Sequence, residues 1–300
     1  MSQNLPLISI LINCFNAEKY IGNCIKSALV QTYNNIEIII WDNKSNDKTL
    51  DIIKSFKDKR IKYYISENHV SLSEARILAT EKINGDYIAI LDSDDIAYKD
   101  KIKTQYEYFV SNPEVCLLGS WMDVIDNFGK LITKYKPKFI RYNLNSQILW
   151  CNPLVHSSIM YKKSSAVKLG WYSDKLTNFQ DYALTLKIYS KYKIAIINKI
   201  LGAQRLHDGN NINNKNTYLA QIREYALLLR YARMLIPNNT NRQKIIQMNN
   251  NSILVNHFKK LLFNFHKKTS VKNFLILINF ILSNPIIIFH NGYIRKLIIR

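Results

Sequence analysis

Three aspartates occur within four residues, Asp92-Ser93-Asp94-Asp95, directly after the apolar stretch from Tyr87 to Leu91. Carboxylates this close together raise one another's pKa or recruit a cation. An all-oxygen ligand set suits Mg²⁺ or Mn²⁺, which usually keep several waters and share phosphate oxygens. A metal here would stabilise negative charge that develops on a leaving diphosphate. Aspartates are also common in solvated turns and at helix N-caps, so the motif alone leaves both interpretations open.

Three other side chains could take part in chemistry, and each also has an ordinary structural explanation. Asp181 begins a predicted helix over 181–192, where the helix dipole favours an acidic residue. His207 follows a predicted strand, but a lone histidine is more often structural than a ligand. Arg76 lies in a predicted helix over 71–83, where an arginine is usually exposed to solvent and has no part in a site. Their positions alone do not decide between the two interpretations.

The first 110 residues alternate between strand and helix signals. Short runs rich in β-branched residues predict strands, and apolar residues at helical spacing predict helices between them. The predicted strands are 7–14, 36–41, 61–65 and 87–91, and the predicted helices are 18–32, one capped by Ser45 or Asn46, and 71–83. This alternation is typical of an α/β fold, with a mostly parallel sheet covered by helices on both faces.

Polar residues follow three of these predicted strands. In parallel sheets, ligands bind beyond the carboxyl ends of the strands. We therefore expect Asn13 to Phe15, Asp42-Asn43 and Asp92 to Asp95 to be neighbours in space. The sequence predicts one polar binding edge built from these three segments.

The pattern is more mixed after residue 115. It predicts strands over 116–121, 131–135, 157–161 and 194–197 and helices over 142–150 and 181–192. The polar, low-complexity stretch 208–217 predicts a joint, that is, a linker at the end of the catalytic domain. We expect a catalytic domain over residues 1–215, with a nucleotide-sugar-binding half (1–110) and an acceptor-side half (111–215). A helical, basic tail over 216–300 would follow it.

The charge, the cysteine content and the apolar segments of the chain restrict the class of protein to which it can belong. The chain of 300 residues has a net charge of +20, and residues 221–300 carry 13 Lys or Arg against one acidic residue, Glu224. Four cysteines without metal-ligand spacing favour a reduced, cytoplasmic protein over a disulfide scaffold. Neither a secretion signal nor a convincing membrane span is predicted, since the best candidate, 274–289, is too short and interrupted.

Seven segments taken together, in this order, resemble the family 2 glycosyltransferases of the GT-A fold over residues 6–210. Each segment is weak evidence alone, but their order and spacing are specific. The segments are 6–20, Gln31-Thr32-Tyr33, 41–49, Ser73-Glu74-Ala75-Arg76, Asp92-Ser93-Asp94-Asp95, Gly170-Trp171-Tyr172 with Gln180-Asp181, and Arg205-Leu206-His207. Gln180 stands where the family usually has Glu, and Ile77 where it has Asn.

The resemblance implies roles for residues on the nucleoside side of the site. Phe15 would stack near the nucleobase. Asn43 stands where the family often has an aspartate that accepts a hydrogen bond from uracil; an asparagine can accept such a bond through its carbonyl oxygen and can also donate one. Asp42 and Arg76 would help to hold the nucleoside.

The resemblance also implies the metal and catalytic residues. Asp92-Ser93-Asp94 would bind the ribose, the donor sugar and a metal-bound diphosphate. Asp94 or Asp95 would ligate Mn²⁺ or Mg²⁺, and His207 would close over the metal or the diphosphate. Asp181 would act as general base on the acceptor hydroxyl, and a single base with in-line attack gives inversion.

The expected reaction moves a sugar from a nucleoside diphosphate, a UDP-hexose or UDP-N-acetylhexosamine, to a glycan or lipid-linked glycan acceptor in cell-surface polysaccharide synthesis. Two alternatives remain open at this point. The chain could be a nucleotidyltransferase on a related nucleotide-binding sheet, or a non-catalytic sugar-nucleotide-binding or scaffold protein. Release of nucleoside diphosphate, rather than pyrophosphate, would distinguish a glycosyltransferase from a nucleotidyltransferase. Metal-dependent turnover would exclude a non-catalytic protein.

The basic tail indicates an anionic partner. Lysines beside large apolar side chains, as in Phe258 to Lys268, suit an interfacial helix on an anionic membrane. The alternative is that these helices pack on the catalytic domain or form a dimer contact. Nucleic acid is not expected, because the aromatic residues sit in apolar runs rather than on a basic polar face. The expected location is cytoplasmic, at the inner face of the cell membrane.

Overall fold

The computed structural model describes residues 5–137, 152–173 and 179–207, with Leu144, Ile148 and Leu176. Nearly all of them belong to one compact unit, residues 1–138 and 153–214; a second unit comprises 139–152 and 215–300. The predicted basic tail, the joint at 208–217 and most of the predicted helix 142–150 lie outside the described residues. Among the described helices, none is long and apolar enough to cross a membrane.

The N-terminal part of the chain follows the predicted alternation of strands and helices closely. Its elements are β1 (Ile8–Cys14), α1 (Ile21–Leu29), β2 (Ile36–Asp42), α2 (Thr49–Ser55), β3 (Ile61–Ile65), α3 (Leu72–Thr80) and β4 (Tyr87–Ile90). Its strands form a parallel sheet in the order β3-β2-β1-β4. Every residue of β2 is buried, as expected for a strand covered on both faces.

The sheet continues beyond β4 with mostly antiparallel pairs. The elements are β5 (Ile96–Ala97), α4 (Lys101–Ser111), β6 (Val115–Ile125), β7 (Leu131–Tyr135), a 3₁₀ turn (His156–Ser158), β8 (Met160–Lys162), α5 (Lys163–Lys168), α6 (Gln180–Tyr189) and β9 (Lys193–Arg205). The strand order is β4-β8-β6-β9-β5, and β7 pairs with residues 122–125 of β6, beyond the residues of β6 that pair with β8. Among the described strands of this part, β6 and β9 form the one parallel pair.

Helices cover both faces of the parallel strands. Alternate residues of β1, such as Ile8, Ile10 and Ile12, join a buried core that also contains residues of α1, α2 and α4. Helix α3 contacts β1 and β2 through buried residues, including Ala75 and Ala79, that are not in that core. The two hydrophobic layers fix the strand ends that carry the site.

Several local features differ from the sequence-based expectation. The predicted strand 157–161 is a 3₁₀ turn followed by the short strand β8. Neither Ser45 nor Asn46 caps α2, which begins at Thr49 with Asp47 Oδ1 accepting from its backbone N–H at 2.9 Å. Helix α4 was not indicated by the sequence because two polar residues, Lys101 and Gln105, occupy buried positions of its inner face. Strand β9 is much longer than 194–197, because Asn198 and Lys199 bulge outward and the strand then resumes.

A buried glutamate holds the turn before β4. Glu37 accepts hydrogen bonds from Ser9 Oγ at 2.6 Å, Lys62 Nζ at 2.8 Å and the backbone N–H of Asn84 at 2.7 Å. The next residue, Gly85, lies so close to β1 that a Cβ would stand 2.7 Å from the Ser9 nitrogen. Burial opposes ionisation, but these donors outweigh it and lower the pKa of Glu37 to about 2.

We expect Glu37→Gln to lower the free energy of unfolding at pH 7 by about 2 kcal/mol, because Lys62 Nζ and Asn84 Nδ2 would then face an amide donor in place of a carboxylate oxygen. A carboxylate whose pKa is lowered on folding stabilises the fold above its unfolded pKa, and that contribution is lost as pH falls towards about 2. Chemical denaturation at pH 7 and pH 3 measures both effects. The exposed Glu107→Gln on α4 is the control, and equal stability losses in the two variants would contradict the assignment.

Candidate functional site

The site lies beyond the carboxyl ends of β1, β2 and β4. These strands are parallel and in register, so that Cys14 lies beside Asp42 and Leu11 beside Ile90. The three polar segments expected to be neighbours therefore meet at one edge of the sheet. The parallel pairing is what brings residues 15, 43 and 92 into one region.

One side of this edge is aromatic. Phe15 is 44% exposed, and its ring lies 4.1 Å from the ring of His69, centroid to centroid. Both polar ends of the Asn43 side chain are engaged with Val70: Nδ2 donates to its carbonyl at 2.8 Å, and Oδ1 accepts from its N–H at 3.1 Å. His69 Nδ1 lies 3.0 Å from the Asn43 carbonyl oxygen. Asn43 thus positions the loop that brings His69 against Phe15.

The loops after β1 and β2 are interlocked by reciprocal hydrogen bonds. Asn16 N–H donates to Ser45 Oγ at 2.9 Å, and Asn46 N–H donates to Asn16 Oδ1 at 3.0 Å. Glu18 exchanges similar bonds with the 47–48 segment. Asp42 is buried and accepts from Ser45 Oγ at 2.5 Å, which fixes the start of the second loop. Asp42 therefore shapes the site from beneath.

Asp92 lies in a cluster of buried polar side chains. Its Oδ1 is 2.8 Å from His156 Nδ1 and 3.7 Å from Arg76 Nη2. Since a carboxylate has no proton to give, Nδ1 donates to Asp92, and Arg76 acts through its charge. Burial would raise the pKa of Asp92, but His156 and Arg76 outweigh it and hold that pKa well below its usual range. Asp92 is an anion held in one orientation.

Arg76 also connects Asp92 to helix α6. Its Nη1 donates to Gln180 Oε1 at 2.9 Å, and its guanidinium lies 5.6 Å from the centre of the Tyr172 ring. Gln180 is the first residue of α6, and Asp181 is the next. Arg76, Gln180 and the ring of His156 are all buried. The buried guanidinium thus links the helix that carries Asp181 to the acidic motif.

Asp94 faces a different partner. Its Oδ2 lies 2.9 Å from His207 Nε2, and the ring of His207 lies 4.9 Å from that of Tyr20. Burial and the neighbouring charge of Asp92 raise the pKa of Asp94, while His207 opposes the rise. Arg205 Nε donates to the Asp94 carbonyl oxygen at 2.9 Å. The end of β9 thus delivers both His207 and Arg205 to the acidic motif.

Asp95 is buried, and both of its carboxylate oxygens are hydrogen-bonded within the chain. Ser157 Oγ donates to Oδ2 at 2.5 Å, and Arg205 N–H donates to Oδ1 at 2.8 Å. Burial, with the charges of Asp94 and Asp92, raises the pKa of Asp95 well above its usual value. Beneath the motif lies Lys101, whose pKa burial lowers to about 7 although Asp95 and Asp92 oppose the shift.

The pair Asp94–His207 fits a divalent cation. Ligands at about 2.1 Å in adjacent octahedral positions stand about 3 Å apart, close to the 2.9 Å between Oδ2 and Nε2. Among the described residues, no group of three or more His, Cys, Asp or Glu is arranged to hold a metal alone. A metal at this pair would therefore complete its shell with diphosphate oxygens and water. The ordinary role of such a pair is a charge-assisted hydrogen bond.

Three residues that shape this site, His69, His156 and Ser157, were not predicted from the sequence. His69 and His156 lie far in sequence from Phe15 and Asp92, the residues they contact. Ser157 binds Asp95 and also accepts from the backbone N–H of Asp92 at 2.9 Å. A sequence signal does exist in His156-Ser157-Ser158, a polar triplet directly before an apolar strand. Ser93, which was also expected in the site, lies half-buried between Asp92 and Asp94 in the sequence.

The chain is similar in sequence to known glycosyltransferases. The model of glycosyl transferase family 2 matches residues 9–170. An uncharacterized glycosyltransferase of Methanocaldococcus jannaschii is 34% identical over 232 residues, which cover 75% of this chain and 78% of that protein. The Escherichia coli UDP-Glc:alpha-D-GlcNAc-diphosphoundecaprenol beta-1,3-glucosyltransferase WfaP is 35% identical over 214 residues, covering 70% and 82%.

Solved structures identify the fold. The Staphylococcus aureus TarS fragment 1–349 in complex with UDP-GlcNAc superposes with a TM-score of 0.70 at 17% identity, over 97% of this chain and 83% of that one. The mannosyltransferase PcManGT of Pyrobaculum calidifontis, in complex with GDP-Man and Mn²⁺, gives 0.58 at 14% identity, covering 99% and 79%. The expected GT-A fold is thereby confirmed. Because the family model spans more than half of the chain, this protein belongs to glycosyl transferase family 2.

Proposed function

We propose that this glycosyltransferase moves a hexose or N-acetylhexosamine from UDP to a hydroxyl of a lipid-linked glycan, with inversion at the anomeric carbon. The observation that carries the proposal is the linkage Asp92–Arg76–Gln180. It holds the acidic motif and the helix that carries Asp181 in one fixed arrangement. A transferase needs this arrangement, because leaving group and base must act on opposite sides of one carbon.

The donor would lie along the carboxyl edge of the sheet. The ring of Phe15 and that of His69 offer an apolar surface for a nucleobase. Asp92 would bind hydroxyls of ribose or sugar, since its anionic form is secured by His156 and Arg76. TarS was solved with UDP-GlcNAc and WfaP is named for UDP-Glc, which supports a UDP sugar here.

Asp181 would take the proton from the acceptor hydroxyl as that oxygen attacks the anomeric carbon. The bond to the diphosphate breaks on the opposite face, through a transition state with oxocarbenium character. One new glycosidic bond forms, and the nucleoside diphosphate leaves with the bonding electron pair. No carboxylate nucleophile is required, so Asp181 is the only carboxylate to which we assign proton transfer.

We propose Asp94 and His207 as the protein ligands of Mn²⁺ or Mg²⁺. When bound, such a metal would neutralise charge developing on the leaving diphosphate. Asp95 would act by holding the chain around Asp94, because both of its oxygens are engaged with Ser157 and Arg205. PcManGT was solved with Mn²⁺, which supports the choice of ion.

The acceptor proposal rests on WfaP, whose name specifies a diphosphoundecaprenol-linked sugar. An acceptor anchored in a bilayer requires the enzyme to work at the membrane surface. We therefore propose a cytoplasmic protein that binds the inner face of the membrane peripherally, with an anionic lipid surface as partner. The net charge of +20 favours such a surface.

The direct test is release of nucleoside diphosphate from a panel of UDP, GDP and dTDP sugars, with Mn²⁺ and with chelator. We expect release from one or a few UDP sugars, with Mn²⁺ only, and faster release when a lipid-linked glycan is added. Release of pyrophosphate instead would point to a nucleotidyltransferase. Donor binding by calorimetry without any turnover would favour a non-catalytic protein.

We expect Arg76→Lys to lower kcat about 100-fold, because lysine cannot reach Gln180 and Asp92 together and small displacements at a reacting centre are costly. Steady-state kinetics with the active donor measures the effect, with thermal unfolding as a check on folding. The control is Arg60→Lys, which removes a bidentate guanidinium from Asp58 at the surface. If the two variants lose the same activity, Arg76 has no positioning role.

A further inference from the structure

The turn between β6 and β7 holds a large apolar side chain in solvent. Phe128 is 91% exposed, and Leu131 and Ile132 on β7 are 49% and 55% exposed. Leu131 and Ile132 are consecutive in the strand and face opposite sides of it, so the exposed apolar surface is centred on Phe128 at the tip. We call residues 126–136 the 126–136 hairpin.

The turn that carries Phe128 is ordered by its own hydrogen bonds. Asp126 Oδ1 accepts from the backbone N–H groups of Phe128 and Lys130, each at 2.9 Å. Gly129 adopts φ +88°, a left-handed conformation that favours glycine, and its N–H donates to the Asp126 carbonyl at 3.1 Å. These bonds order the backbone from which the phenyl ring projects.

The charged residues of the hairpin are mainly basic. Lys130, Lys134 and Lys136 accompany a single acidic residue, Asp126, whose carboxylate is engaged in the turn. All three lysines are exposed. An apolar tip flanked by lysines complements an anionic bilayer, where the ring enters the interface and the ammonium groups meet lipid phosphates.

The hairpin is also tied to the proposed active site. Arg205 Nη1 donates to the Asp126 carbonyl at 2.9 Å, while its Nε donates to the Asp94 carbonyl, also at 2.9 Å. One side chain therefore spans from the base of the hairpin to the acidic motif. A membrane contact here would place the donor site next to the surface that holds a lipid-linked acceptor.

We propose that the 126–136 hairpin is a membrane-contact element that inserts Phe128 into an anionic lipid surface beside the active site. This inference rests on the proposed lipid-linked acceptor. It is independent of the basic tail, and it assigns the contact to the catalytic unit itself.

The full chain is tested with vesicles of phosphatidylglycerol and phosphatidylcholine. Phe128→Ser should lower vesicle partitioning about tenfold. Replacing the three lysines with glutamine should lower it on the order of 100-fold and flatten its salt dependence. Val110→Ser and Lys103→Gln on α4 are the controls, since Val110 is 61% exposed and Lys103 is exposed. Partitioning within twofold of the controls would overturn the proposal.

A second measurement reports depth directly. The emission of Phe128→Trp, after subtraction of the wild-type signal, should be quenched by lipids brominated in their acyl chains, whereas Val110→Trp should not be quenched. Absence of quenching, or a dimer in solution that Phe128→Ser dissociates, would assign the hairpin to another copy of the chain. Nucleoside diphosphate release without vesicles tests the transferase separately, so the two proposals can fail independently.

Discussion

Asp181→Asn is expected to lower the rate of sugar transfer about 1,000-fold while donor affinity changes less than twofold. Asparagine keeps the size and the hydrogen-bonding reach of aspartate but cannot accept the acceptor's proton, and general-base catalysis contributes a factor of this order. Gln180 would continue to bind Arg76, so the start of α6 should stay in place. Single-turnover transfer to a saturating acceptor, combined with calorimetric titration of the donor, separates the two quantities.

The matched control is Asp51→Asn. Asp51 also lies in the first turn of a helix, and its side chain is exposed on α2. Its carboxylate lies at the N-terminal end of a helix, as that of Asp181 does, but it has no place in the site. Transfer by Asp181→Asn at a near-normal rate would sink the assignment of the base, whatever the effect on binding.

The second large effect is expected at Asp94. Asp94→Ala should remove the gain in donor affinity that Mn²⁺ gives the wild-type protein, which we expect to be at least tenfold. Affinity measured in chelator should be unchanged, because Asp92, Phe15 and His69 remain. The physical reason is that His207 alone is left to hold the cation against water.

Asp100→Ala serves as the control for Asp94→Ala. Asp100 lies six residues further on, and its exposed carboxylate accepts from Thr32 Oγ1 at 2.9 Å. It removes the same charge from the same region without touching the proposed ligand pair. If Mn²⁺ still tightens donor binding in Asp94→Ala, the metal is held elsewhere and the roles of Asp94 and His207 must be revised.

The parallel strands and their polar ends were predictable because each is encoded locally. The apolar runs before Asn13, Asp42 and Asp92 predict strands, and one topological rule brings their ends together. The partners of these residues were not predictable in the same way. His156 contacts Asp92 across 64 residues, and nothing near either residue indicates the pairing.

Helix α4 was not predicted because polar residues occupy buried positions on it. Lys101 and Gln105 interrupt the apolar face of α4, yet both are buried, with Lys101 Nζ donating to the Ile90 carbonyl at 2.9 Å and Gln105 Nε2 to the Ser158 carbonyl at 2.8 Å. A periodicity argument counts such residues as surface. In β9, two polar residues are exposed, as a periodicity argument expects. Asn198 and Lys199 form an outward bulge, so the sequence pattern predicted only the part of the strand that precedes them.

The interlocked loops after β1 and β2 have a consequence for altering the choice of nucleotide. Because Asn16 and Glu18 exchange bonds with the 45–48 segment, neither loop has a complete set of partners without the other. If one loop were replaced by that of a relative with a different donor, backbone N–H groups of the remaining loop would lose their hydrogen-bond acceptors. The two loops therefore have to be replaced together in any attempt to change the base preference of this protein.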